Sequence, residues 1–424
     1  MLGKLLRILA RATIRRYKPV IVGVTGNVGK TSTKLAIGAV LSRLRRIRAS
    51  AKSFNNEIGF PLAILGDWQK TGGVFFWMRV ILASIMRLIV RTRRYPEVLV
   101  LEYGVDRPGD MDYLLSIARP DVAVVTAIGD VPVHVEFFAG KEQVVKEKAK
   151  LVRALSAASH AVLAADDSAV AEMAKETRAH ILTYGFDESA AVRVSSFEQV
   201  LKEMQGSVMK LEYRGNFIPV RIEGALGKAQ SCAAAAAGAV GLIFSMNLVS
   251  ISEALNDYRP PQGRLRVLRG VKKSLLIDDT YNASPLAMEE ALRTLAPMKK
   301  RRIAVLGDML ELGKYTLEAH ERSGKLAAHA ADMLITVGLR GKLISAAALT
   351  EGMEASAVHH FETVGEAGKF LEEKLKAGDV VLLKASQAVR LEKAVKEVMA
   401  EPERARELLV RQDARWLQKK GMYE

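Results

Sequence analysis

The sequence predicts an α/β protein in which a central parallel-sheet ATPase domain with a phosphate-binding P-loop is followed by a smaller Rossmann-like α/β domain. Three observations predict it. The segment Val24-Thr25-Gly26-Asn27-Val28-Gly29-Lys30-Thr31-Ser32-Thr33 stands directly behind the apolar run from Pro19 to Gly23. Beyond it, short apolar runs alternate with helical patterns, the order that builds parallel sheets. A Pro/Gly cluster, Pro260-Pro261-Gln262-Gly263, then marks a hinge between two such stretches. The expected division is a basic amphipathic helix over 1–18, an ATP-binding domain over 19–261 with an apolar helical insertion at 74–94, a C-terminal domain over 262–400, and a charged helical tail over 401–424.

Within 1–18, Lys4, Arg7, Arg11, Arg15 and Lys18 recur at three- and four-residue spacing, with Leu2, Leu5, Leu6, Ile8 and Leu9 on other faces. Two readings stay open: a helix that touches an anionic membrane surface, and a solvated helix packed on the domain. The strand that follows at once leaves no room for a removable leader. In that strand, turn and helix start, Gly26 and Gly29 let the backbone approach phosphate oxygens while helix amides point at them. Lys30 is expected to reach the terminal phosphates and Thr31 to meet Mg²⁺, with Asn27 and Ser32 in the same loop. Val24 stands where the common form of this loop has Gly.

The net charge of +16 is uneven: the first 96 residues carry +17 and the remaining 328 carry −1. An anionic partner is therefore met by the N-terminal part. No aromatic-basic interleaving or base-reading motif accompanies the charge, so nucleic acid is not expected. The single cysteine, Cys232, excludes an intramolecular disulfide and a multi-cysteine zinc site, which fits a cytoplasmic location.

The apolar stretch Val74 to Val90 is short for a span of about 20 residues, and Arg79 and Arg87 would each cost roughly 2.5 to 3.5 kcal/mol at mid-bilayer. A crossing there would also part Lys30 from the acidic residues downstream. An interfacial or buried helix is expected; the interfacial alternative carries peripheral contact at the inner membrane face through 1–18 and 74–94, and the buried one carries none. Next, Val98 to Leu101 reads as a strand ending in Glu102, placed to meet the phosphate loop and suited to Mg²⁺. His134 follows the strand Val122 to Ala127, and Lys146, Lys148 and Lys150 crowd one helical segment. Alone, these read more readily as surface residues.

Four motifs resolve the ambiguity. Thr25-Gly26-Asn27-Val28-Gly29-Lys30-Thr31, Asn55-Asn56-Glu57-Ile58-Gly59-Phe60-Pro61-Leu62, Asp278-Asp279-Thr280-Tyr281-Asn282-Ala283-Ser284-Pro285 and Gly307-Asp308-Met309-Leu310-Glu311-Leu312-Gly313 resemble, in order, TGxxGKT, NNEIGxPL, DD[ST]YNANP and GDMxELG of the Mur ligase family. The similarity runs from about residue 19 to about 398. It lies nearest the branch that adds D-alanyl-D-alanine to the peptidoglycan precursor.

The resemblance implies an ATP-dependent carboxylate–amine ligase that forms a peptide bond through an acyl phosphate. It implies a peptide-bearing cell-wall precursor and an amino acid or dipeptide as substrates, and two Mg²⁺ ions. One ion would be held by Thr31 and Glu102, the other by His134 and a carbamylated lysine that register places at Lys148. Lys30, Lys148, His134 and Arg264 are the implied catalytic residues. Asp279 would bind the ribose, with Tyr281 and Asn282 beside the nucleotide. Three departures accompany it: few residues precede the phosphate-loop strand, where such ligases have a domain for the uridine diphosphate sugar; Gln230 and Ala233 replace two adenine-contacting asparagines; and Lys384-Ala385-Ser386-Gln387 lacks the arginine of KGSR. The alternatives are a related ligase for another polymer, polyglutamate or cyanophycin-like, and a non-catalytic nucleotide-binding scaffold at the membrane.

Overall fold

The computed structural model describes residues 2–50, 54–68, 72–201 and 206–423. Met1 of the expected helix and Glu424 of the expected tail lie outside them. Among the described residues the strands β1 (Val20–Thr25), β2 (Ile47–Ala49), β3 (Val98–Glu102), β4 (Val122–Val125), β5 (His160–Ala164), β6 (His180–Gly185), β7 (Val192–Val200), β8 (Gly206–Tyr213) and β9 (Asn216–Glu223) form one sheet, in the order β2-β3-β1-β4-β5-β6-β7-β8-β9. Neighbours are parallel from β2 to β7, after which β7, β8 and β9 turn back as an antiparallel meander.

The inner parallel strands are apolar on both faces because helices cover both. On one face α1 (Leu2–Tyr17), α3 (Gly59–Leu65), α4 (Val74–Ile89), α5 (Asp110–Ile117) and α6 (Lys141–Arg153) enclose Leu6, Leu9, Phe60, Val80, Leu114 and Leu151. On the other, α2 (Lys30–Ser42) and the helix Lys228–Ile243 enclose Ile37, Val40, Ala235 and Ala236. With β3 on one side of β1 and β4 on the other, the connections diverge from β1 and leave a crevice at the strands' carboxyl ends.

The second sheet joins β10 (Arg266–Arg269), β11 (Leu275–Asp278), β12 (Arg302–Gly307), β13 (Met333–Val337), β14 (Val358–Phe361) and β15 (Val380–Lys384) in the order β10-β11-β15-β12-β13-β14. All its pairings are parallel except β10 with β11. α1 takes the expected place of the basic helix, with Leu6, Leu9, Ala10 and Thr13 buried. α4 takes that of the insertion. Among the described residues no helix is long and apolar enough to cross a membrane.

The tail differs from the continuous helix expected over 401–424. It forms short turns, Pro402–Arg404, Ala405–Leu408 and Ala414–Leu417. Its charged groups find tertiary partners that a free helix could not reach. Arg411, at a left-handed φ of 58°, donates to Glu392 Oε2 at 2.8 Å and to Thr280 O at 3.1 Å. Arg390 donates to Glu392 Oε1 at 2.5 Å and takes the carbonyls of Trp416 and Lys419 at 2.9 and 2.7 Å.

Candidate active site

β1 delivers the chain to Gly26, whose φ of 132° favours glycine, and a β-carbon there would meet the Thr126 carbonyl oxygen at 2.6 Å. Asn27 N and Val28 N donate to Ala127 O at 2.9 and 3.1 Å, and Asn27 Nδ2 to Ile128 O at 2.9 Å, which pins the loop beyond the end of β4. Gly29 then caps α2, whose first amides face the crevice as a site for anionic oxygens. Lys30 Nζ folds back on the loop and donates to Gly26 O at 2.9 Å and Asn27 O at 3.2 Å. Burial lowers the Lys30 ammonium, with Glu102 opposing the shift.

Glu102 ends β3 in a buried position. Thr31 Oγ1 lies 3.1 and 3.4 Å from its two carboxylate oxygens, Lys34 Nζ 3.2 Å from Oε2, and Asn55 Nδ2 3.4 Å from Oε1. Burial would raise this carboxyl, but Lys34 and Lys30 outweigh it and hold it below its ordinary value. Lys34, one helical turn beyond Lys30, was not singled out from the sequence. The signal was the four-residue spacing of two lysines on a helix that starts at a phosphate loop.

The three similar lysines of α6 have different fates. Lys146 is exposed, and Lys150 is tied to Asp112 and Glu147, each at 2.6 Å. Lys148 is 1% exposed and donates to Gly26 O at 3.0 Å. Burial pushes its ammonium well below the ordinary lysine value, and Lys30 adds to the shift. Its neighbour Glu147 accepts from Gly109 N and Met111 N at 3.0 and 3.1 Å, locking α6 to the start of α5.

His134, in a left-handed conformation, puts Nε2 3.2 Å from Asp106 Oδ1 and Nδ1 2.6 Å from Glu311 Oε2. Asp106 also acts electrostatically on Lys30 and Lys148. Glu311, in the loop after β12, is held below its ordinary value by His134. The imidazole thus joins the two sheets' loops. Asp106 and Glu311 had no role assigned from the sequence.

At the carboxyl end of β11, Asp279 Oδ2 pairs with the buried Lys384 at 2.6 Å, and Oδ1 accepts from Leu265 N at 3.1 Å. Lys384 also donates to Asn282 O at 2.9 Å, and Asn282 Oδ1 accepts from Gln387 N at 3.3 Å. The Asp279–Asn282 loop is therefore welded to the Lys384–Gln387 segment. The Arg264 guanidinium stacks on the Tyr281 ring at 4.1 Å and is felt electrostatically by Lys30, Lys34, Glu102 and Lys384. Ser32 points elsewhere: its hydroxyl is 3.5 Å from Gln230 Nε2, which also holds Arg264 O at 2.8 Å. Tyr258 donates to Gln230 Oε1 at 2.8 Å. Beside Gly29, a cavity of about 520 Å³ opens between Phe186, Cys232, Ala233 and Leu286. Gln230 is thus committed to structure, and Ala233 gives the cavity wall no hydrogen-bonding group.

A phosphate loop at a switch point, facing a second parallel sheet through a cation-rich seam, defines an α/β enzyme that uses a nucleoside triphosphate. The Mur ligase middle domain matches residues 83–240, and the Mur ligase glutamate ligase domain matches residues 263–387. The UDP-N-acetylmuramoyl-tripeptide--D-alanyl-D-alanine ligase of Mycobacterium bovis (strain ATCC BAA-935 / AF2122/97) is 33% identical over 393 residues, covering 88% of this chain and 71% of the relative. That of Bacillus subtilis (strain 168) is 28% identical over 397 residues, covering 93% and 79%. Among solved structures, the MurF ligase from Thermotoga maritima in complex with ADP superposes with a TM-score of 0.77 at 26% identity, covering 95% of this chain and 84% of that one. The chain belongs to the Mur ligase family and is an ATP-dependent ligase.

Proposed function

We propose that this ligase joins the carboxylate of a peptide-bearing cell-wall precursor to the amine of a dipeptide such as D-alanyl-D-alanine, or of an amino acid. The observation that carries the reading is the meeting of Lys30 and Lys148 on the carbonyl oxygen of Gly26, with Lys30 acting in turn on the Thr31–Glu102 pair. Residues 19–261 serve as the ATP-binding unit and 262–400 as the unit that brings the amine, with the hinge at Pro260 to Gly263. The nucleoside occupies the cavity beside Gly29, whose wall includes Pro285 and Leu286, and the family resemblance assigns it Asp279, Tyr281 and Asn282 from the loop just before them.

In this reaction a carboxylate oxygen attacks the γ-phosphorus and ADP leaves. The amine then attacks the acyl carbon, phosphate departs with that oxygen, and the amine loses a proton. Two anions must meet in the first step, so cations decide its rate. Lys30 and the amides of α2 hold the phosphates, and Arg264 adds charge from the second domain. The hydroxyl of Thr31 and the carboxylate of Glu102 are adjacent hard oxygens, which fit one Mg²⁺. Among the described residues no cluster of three or more His, Cys, Asp or Glu could hold a metal. A second ion would therefore depend on His134 together with an anionic oxygen donor made from Lys148. Carbamylation makes one: a neutral amine adds to CO₂ and loses a proton, and the burial of Lys148 supports the neutral form. When bound, the ions neutralise the charge that gathers between carboxylate and γ-phosphate.

The enzyme works on the cytoplasmic side, with peripheral contact to the inner membrane face through 1–18 and 74–94, and without nucleic acid. Gln387, where the resemblance expects arginine, favours a second reading in which the amine is not D-alanyl-D-alanine, because a bidentate donor to its carboxylate is missing. Phosphate release across a panel of precursors and amino donors tests both. Release with a dipeptide or amino acid and a peptide precursor is expected. Nucleotide binding without release in every combination would leave only a scaffold.

A further inference from the structure

α4 is apolar on two sides. Its inner side sets Val80 and Ser84, both at most 1% exposed, against the core under α1 and α3. Its outer side carries Phe75, Met78, Leu82, Met86 and Ile89 at three- and four-residue spacing, and these are 85, 48, 60, 57 and 68% exposed. Burying such a stripe is worth roughly 25 cal/mol per Å² of apolar area, so water is a poor neighbour for it.

The helix is also firmly mounted. Arg16 donates to Ile89 O at 3.1 Å, Tyr17 Oη to Arg87 O at 2.9 Å, and Thr92 N to Tyr17 Oη at 3.2 Å. Tyr17 stacks on Tyr95 at 4.3 Å, and Arg87 turns inward to Leu65 O. Immediately after the helix, Arg91, Arg93 and Arg94 are all exposed. The only acids in the first 96 residues are Glu57 and Asp67. The partner of this face must accept apolar side chains and supply negative charge around them. A second copy would bring +17 against +17.

We infer that the outer stripe of α4 inserts into an anionic phospholipid surface, with Arg91, Arg93 and Arg94 at the headgroups and α1 as the clamp that holds α4 in place. This rests on the peripheral-contact reading above and names its inserting element. At 16 residues, about 24 Å, the helix is too short to cross a core of about 30 Å and suits lying in the interface.

Co-sedimentation of the purified full chain with phosphatidylcholine vesicles, with and without phosphatidylglycerol, tests the inference. Binding to the phosphatidylglycerol vesicles alone is expected. The double variant Met78→Glu/Leu82→Glu should weaken it at least about tenfold. The triple variant Arg91→Gln/Arg93→Gln/Arg94→Gln should weaken it about a hundredfold, at roughly 1 kcal/mol per basic residue. Both should keep wild-type thermal unfolding, since every altered side chain is exposed. If wild type ignores both vesicles, the peripheral-contact reading and this inference fall together. If wild type binds but the Met78/Leu82 variant binds equally well while Lys4→Gln/Arg15→Gln does not, contact stands and the role of α4 is overturned. Self-association of wild type that Met78→Glu/Leu82→Glu abolishes, without vesicle binding, would give the face to a second copy and overturn the inference.

Discussion

Lys148 donates from Nζ to the carbonyl oxygen of Gly26 at 3.0 Å, the same oxygen that Lys30 reaches at 2.9 Å. Two ammonium groups on one acceptor repel each other, and burial adds to the cost of keeping both charged. Lys148 is the deeper of the two, and burial pushes its ammonium well below the ordinary lysine value, so the proton is lost more easily there. A neutral lysine beside a phosphate loop is what carbamylation needs.

Lys148→Ala should lower phosphate release at least about a hundredfold, the scale seen when one charge-stabilising group is lost from a reacting centre. A small carboxylate added to the assay should restore part of it. Lys146→Ala, two residues away on the opposite side of the helix and exposed, should stay near wild type. Wild-type release should fall in bicarbonate-free buffer and recover when bicarbonate returns. Equal loss in the Lys146 variant would remove the assignment.

The buried pair Asp279–Lys384 should be expensive to break from one side. Lys384→Met leaves a carboxylate buried with one backbone amide as partner, which costs about 3 to 5 kcal/mol. Urea unfolding reads this directly. The same variant should raise the KM for ATP, because Asn282 loses its anchor.

Asp278 predicts a pH dependence. Burial pushes its carboxyl up to about 6, above its ordinary 3.8, and one oxygen lacks a partner while the other accepts from Thr280. The folded state therefore binds the proton more tightly. The stability it contributes is full below about pH 4 and is lost as pH rises to about 6, a loss of about 3 kcal/mol. In Asp278→Asn that slope should vanish from the stability profile. An unchanged slope would contradict the assignment.

Arg411 ties the tail to the carbonyls of Thr280 and Tyr281 and to the buried Glu392. Arg411→Ala should destabilise the protein by about 3 kcal/mol. It should raise the KM for ATP more than it lowers kcat, since it positions Tyr281 without touching the reacting atoms. Equal KM in variant and wild type would make the tail purely structural.

The parallel strands, the phosphate loop and Glu102 were legible because apolar runs and fixed spacings are local signals. The meander β7 to β9 leaves a fainter local signal, the alternation of β9 and the two-residue turn Arg214-Gly215, both at positive φ. The tail misled for a different reason. Its charges pointed to a solvated helix, whereas its partners Glu392, Thr280 and Tyr281 are more than ten residues distant and leave no trace in the local pattern. Lys148 was separable from Lys146 and Lys150 only by register, and burial now separates them physically. His134 could be named but its contact with Glu311 could not, because that contact depends on how the two sheets meet.

Ligation through an acyl phosphate moves one carboxylate oxygen of the precursor onto the departing phosphate. A precursor whose carboxylate carries heavy oxygen should, on ligation, yield inorganic phosphate with one heavy atom per peptide bond formed, measured by mass spectrometry. Unlabelled phosphate accompanying the same ligated product would rule out the acyl phosphate.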